Sequence, residues 1–114
     1  MLRSEVWLIN LDPTVGAEIK KTRPAVIVND DAIGALPLRV IVPITDWKER
    51  YAIAPWIVRL EPEVDNGLSK TSAADAFQVR SVSQERFVRR IGRLQKATMQ
   101  EVTKALAIVL SIEP

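Results

Sequence analysis

The sequence predicts a mainly β fold with α additions: a small, strongly curved sheet or barrel followed by a C-terminal helix. Three observations carry this expectation. Short apolar runs with strand periodicity recur along most of the 114 residues, separated by turn signals. A clear helical spacing is confined to the last segment. No helices alternate with the strands, which argues against the parallel crossovers of a doubly wound fold. A chain of this length buries one core and fits a single domain, residues 1–114, with no linker.

The first element is "EVWLINL" (5–11), where Trp7, Ile9 and Leu11 alternate with Val6 and Leu8, so the strand is buried on part of both faces. Pro13 and Gly16 mark "DPTVGAE" (12–18) as a loop. "PAVIV" (24–28) is a β-branched run opened by proline, and 29–37 breaks it. A third strand covers 38–45, with Pro43 suggesting an edge or a bulge, and a fourth covers 54–60. Asn66-Gly67 signals a turn in 61–70, and a fifth strand is expected over 72–79. Ser83 is placed to cap one helical turn over 81–87, and "VRRIGRL" reads as a short strand. Thr98 and Glu101 match a capping box, and Met99, Val102, Leu106 and Val109 give the terminal helix its apolar stripe.

Composition narrows the chemistry. With 47% hydrophobic and 26% charged residues the chain is an ordinary globular protein. It has neither cysteine nor histidine, so there is no disulfide, and a transition-metal site would need carboxylates alone. A zinc-dependent mechanism is not expected. No apolar stretch approaches the roughly 20 residues of a membrane span, and the start lacks the pattern of a secretory signal, so a cytoplasmic location is expected. The formal net charge is only +2. Its distribution is uneven: Arg80, Arg86, Arg89, Arg90, Arg93 and Lys96 face the single acid Glu85. Such a run is either a solvated face or a surface for a polyanion.

The stretch "GAEIKKTRPAVIV" (16–28) puts three cations just before a buried-looking strand. Pro24 pushes Arg23 out of the helical region, so Arg23 is expected at the last extended position of the loop. A guanidinium held there suits an anion, unless a surface ion pair takes it.

Six segments taken in order resemble the MazF/PemK-type toxins of bacterial toxin-antitoxin pairs. They are "EVWLINLDPTVGAE", "TRPAVIV", "VIVPIT", "GLSKTS", "QVRSVSQERF" and "GRLQKATMQEVTKAL", and together they span essentially the whole chain. The resemblance implies a small SH3-like barrel, shared with CcdB-type toxins, with a C-terminal helix and usually paired as a homodimer. It also implies sequence-specific cleavage of single-stranded RNA without a metal or cofactor. The expected partner is a MazE-like antitoxin whose acidic tail covers the basic run 80–96. The alternative on the same fold is a CcdB-like, gyrase-inhibiting protein-binding toxin.

Metal-free cleavage through the ribose 2′-hydroxyl needs a proton acceptor, help for the leaving 5′-oxygen, and donors for the phosphorane. Some family members place a histidine where this chain has Ala17, and an arginine and an aspartate before the glutamine matched by Gln78; here Asp75, Ala76 and Phe77 precede it. Other members use the arginine of the Arg-Pro motif and the threonine ending the next strand, which match Arg23 and Thr45. On that arrangement Arg23 stabilises the phosphate and Thr45 bonds an oxygen or relays a proton. Glu18 orients the guanidinium, serves as the base, or simply faces solvent. Asp46 and Asp75 are weaker candidates. Lys20, Lys21, Arg80 and Arg86 are expected along the RNA backbone, with a buried structural role as the alternative for Arg80. Trp47, near Tyr51 and Trp56, is a candidate for base stacking, whereas Trp56 reads as core.

Overall fold

A computed structural model describes residues 1–113. Seven strands precede one helix: β1 (Glu5–Asn10), β2 (Thr22–Ile27), β3 (Leu38–Asp46), β4 (Ile57–Leu60), β5 (Ser72–Asp75), β6 (Arg80–Ser83), β7 (Phe87–Arg93) and α1 (Lys96–Leu110). Every pairing is antiparallel, in the order β4-β5-β3-β2-β1-β7, and β6 joins β3. The mainly β architecture with a terminal helix is the one expected from the sequence.

Alternation along β1 divides the interior in two. Val6 joins Val26, Val42 and Ile44 in a cluster closed by Met99, Val102 and Ala105 of α1. Ile9 and Leu11 join Ala25, Ile27 and Ile41 in a second cluster, against which Trp7 and Phe87 pack. Val102 is fully buried, which contributes about 1.5–3 kcal/mol by removing its side chain from water.

Several boundaries differ from the expectation, each for a physical reason. β2 begins at Thr22, so Arg23 is a strand residue, opposite Ile9 of β1, and not the last loop position. β3 is no edge: it bonds β6 through Leu38–Ile41, β2 through Ile41–Pro43 and β5 through Ile44–Asp46. Pro43 falls in the interval between the β6 and β5 ladders, where its missing N–H leaves no gap in either. The fourth strand starts only at Ile57, after a 3-10 segment over Glu49–Ile53.

The fifth strand stops at Asp75, whose carboxylate accepts a hydrogen bond from the N–H of Phe77 (3.1 Å) and starts a 3-10 turn; β6 follows as a separate strand. Ser83 does cap the turn Gln84–Arg86, accepting from Glu85 N–H at 3.2 Å. The capping box at Thr98 does not form. Buried Leu94 ties its N–H to Ser4, and the helix starts right behind it with Gln95 as N-cap, placing Thr98 inside the first turn. Among the described residues no helix is long and apolar enough to cross a membrane.

Candidate functional site

The β2–β3 ladder ends at the pair Ala25–Pro43. The next position of β2 is Pro24, so two prolines without N–H donors meet where the bonding stops. Beyond them a recess of about 210 Å³ opens, walled by Thr22–Pro24, by Ile44–Asp46 and by the loop 67–70. The 25–43 register, continued two residues, sets Arg23 across from Thr45. Both are half-buried and line the recess.

Arg23 donates from Nε to the Lys20 carbonyl at 3.4 Å and makes no salt bridge among the described residues. Its remaining N–H groups, a planar bidentate fork, stay available to an anion. Lys70 and Asp46 line the same recess, paired at 3.0 Å and both well exposed, which limits the pair to under about 1 kcal/mol. The third wall is fixed by Asn66, buried, whose Oδ1 accepts from Glu63 and Leu68 N–H groups (3.1 and 3.0 Å) and whose Nδ2 donates to Glu61. Gly67 beside it has φ +70.

Glu18 lies elsewhere. It lines a second recess of about 350 Å³ with Ala17, Phe77, Gln78, Arg80 and Pro43, and its Oε1 accepts from Val15 N–H at 2.7 Å. Though only five positions apart in sequence, Glu18 and Arg23 do not share one cavity. Asp75, half-buried behind Phe77, has its carboxyl held above the usual range by burial, against the opposing pull of the Phe77 and Gln78 N–H groups.

Gln78, which sequence reasoning left without a role, is the clamp of the loop before β2. Its Oε1 accepts from Ile19 N–H (2.6 Å) and its Nε2 donates to the Ala17 carbonyl (3.1 Å). The side-chain amide thus bonds the loop as a neighbouring strand would. Gln78→Ala is expected to speed amide exchange at Ile19 roughly tenfold, the worth of about one lost hydrogen bond, and unchanged protection there would remove the clamp.

Much of the basic run is spent inside the chain. Arg80 donates to the Leu11 carbonyl at 3.2 Å, Arg86 to the carbonyls of Asn10 and Asp12, and Arg90 pairs with Glu5 at 3.7 Å. With Gln78, Arg80 and Arg86 staple both ends of the loop 11–21. Lys20 and Lys21 are exposed on that loop, Lys21 in a left-handed conformation (φ 71) with its N–H on Asp12 Oδ1. Trp47 is half-buried, edge-on to Tyr51 (5.9 Å) and covered by the Arg59 guanidinium at 5.0 Å. Trp56 packs against the main core, as its apolar context suggested.

The chain is 34% identical over 118 residues to Endoribonuclease MazF9 of Mycobacterium tuberculosis, with 98% of each chain covered. It is 33% identical to Endoribonuclease PemK of Escherichia coli, covering 97% of this chain and 83% of that one. Its backbone matches a solved endoribonuclease in complex with its cognate antitoxin from a mycobacterial species at a TM-score of 0.80. That match is 22% identical, covers 100% of this chain and 98% of the other, and shows a common fold. Residues 2–110 match the family described as PemK-like, MazF-like toxin of type II toxin-antitoxin system, and to that family the chain belongs.

Proposed function

We propose that this chain is the toxin of a type II toxin-antitoxin pair and cleaves single-stranded RNA in the recess between β2 and β3. Membership of the family supports the reading, as do relatives named endoribonucleases along nearly the whole chain. The observation that carries the site assignment is an Arg23 guanidinium that has no salt-bridge partner among the described residues and faces Thr45 across an open recess.

The substrate's 2′-oxygen attacks the adjacent phosphorus, the 2′-proton passes to a base, and the P–O5′ bond breaks. The leaving 5′-oxygen takes up a proton, giving a 2′,3′-cyclic phosphate and a 5′-hydroxyl. Arg23 donates two parallel hydrogen bonds to the non-bridging oxygens, and its fixed charge gains strength as charge builds on the phosphorane. The Thr45 hydroxyl donates to the same oxygens from the facing strand. Lys20 and Lys21 lead the RNA backbone toward the recess, so binding weakens as salt rises. A cognate MazE-like antitoxin and a second copy of the chain are the partners of this reading.

Incubation with a long single-stranded RNA in EDTA is expected to yield discrete fragments ending in cyclic phosphate, and mapping the ends reads motif and chemistry together. RNA left intact by folded protein would overturn the assignment.

A further inference from the structure

The second recess has no part in the chemistry assigned to Arg23, yet it is the better-built cavity for a flat ligand. Phe77 is 66% exposed. An aromatic ring left so open costs burial, but this one is held in place. Trp56 meets it edge-on at 6.0 Å between centroids, Asp75 caps its N–H, and Ala76 before it is buried. The facing wall, Ala17–Ile19, is equally fixed by the Gln78 amide. A rigid ring and a rigid loop therefore bound one slot.

Ala17 and Phe77 bring no group able to move a proton, and Glu18, the one acid of the lining, has its Oε1 held by the Val15 N–H, so the slot is read as a binding site. Pro43 lines the slot and Thr45 lines the cleavage recess. Two residues apart on one strand, they project from the same face about 6.8 Å from each other. A strand of RNA whose phosphate sits against Arg23 and Thr45 thus carries a neighbouring base to the slot. The lining also includes the Glu18 carboxylate, whose Oε1 is on Val15, and the Arg80 guanidinium, one of whose N–H groups is on Leu11; their remaining acceptor and donors suit a base edge.

We propose that this slot binds one unpaired nucleobase of the RNA substrate next to the scissile phosphate, with Phe77 as its stacking surface. The proposal rests on RNA being the substrate and makes Phe77 a determinant of where the cut falls. Phe77 carries no charge, so its contribution comes from the π-face and persists at high salt, unlike that of Lys20 and Lys21.

The test uses a fluorescein-labelled 2′-O-methyl oligoribonucleotide of mixed sequence, which cannot be cut because the attacking hydroxyl is blocked. Phe77→Ala is expected to weaken its binding about 5- to 150-fold, the usual loss for one stacked base, and Phe77→Trp to restore it. On unmodified RNA, end-mapping of Phe77→Ala is expected to show relaxed preference at a single position beside the cut. The slot assignment is overturned if Phe77→Ala, with parental circular dichroism and melting, binds the probe as tightly as the parent. The binding arm reads the slot whether or not the protein cuts, whereas failure of the parent to cut unmodified RNA counts against the function itself.

Discussion

Replacing Arg23 by alanine is expected to slow RNA cleavage about 10²–10³-fold, the usual loss when one preorganised donor to a developing oxyanion is removed. The fold should survive the change. Arg23 is half-buried at the splayed end of the ladder, its guanidinium makes one long intrachain hydrogen bond, to Lys20, and among the described residues no carboxylate is left unpaired without it. The loss should therefore appear in kcat more than in melting temperature. Arg23→Lys keeps the charge but not the planar fork and should fall between the two. Thr45→Ala should act in the same direction, and the double variant should lose less than the product of the singles, because both groups serve one charge. Arg23→Ala cutting at the parental rate with the same end groups would end the assignment.

The largest effect on stability is expected at Gly67. A Cβ built there lies 2.1 Å from the carbonyl oxygen and 2.7 Å from the carbonyl carbon of Ile91 in β7, and the residue has φ +70. Neither neighbour is a flexible side chain that can swing away. Gly67→Ala thus combines left-handed backbone strain of about 1–2 kcal/mol with forced displacement of a strand worth about 1–3 kcal/mol. Together they should lower the melting temperature by roughly 10 °C or more. Gly16 supplies the control: it also has positive φ (58), but nothing lies within 4 Å of its Cβ position. Gly16→Ala should carry the strain alone. Equal losses at the two glycines would show that the contact with β7 is not what matters. Since Gly67 also walls the cleavage recess, its replacement should lower activity along with stability.

Much of this arrangement is legible in the residues. The alternation of Trp7, Ile9 and Leu11, the β-branched run after Pro24, the Asn66-Gly67 turn and the Ser83 cap each stand where local chemistry puts them. What local chemistry misses is decided across the chain. Thr98 and Glu101 form a good capping pair, but docking of Leu94 starts the helix before them. Asp75 lies on the fifth strand as expected, but its carboxylate caps the turn that ends β5 there and separates it from β6.

The site divides in the same way. Arg23 and Thr45 are brought to one recess through the register of two strands, each recognisable alone. Glu18 is near Arg23 in sequence and not in the cavity, because the loop turns its carboxylate onto Val15. The roles of Gln78 and Phe77 had no local signal: an amide 59 residues from its partner and an exposed ring are visible only in three dimensions.

The staples from Gln78, Arg80 and Arg86 have a bearing on the protein's birth. Translation delivers the N-terminal portion first, and the loop ahead of β2 lacks its long-range side-chain staples until Gln78, Arg80 and Arg86 have left the ribosome. A message ended before them would yield a fragment that carries Arg23 and Thr45 but lacks these staples and the β6 and β7 partners of β3 and β1. On the proposed reading, that delay makes activity wait on synthesis at least as far as Arg86.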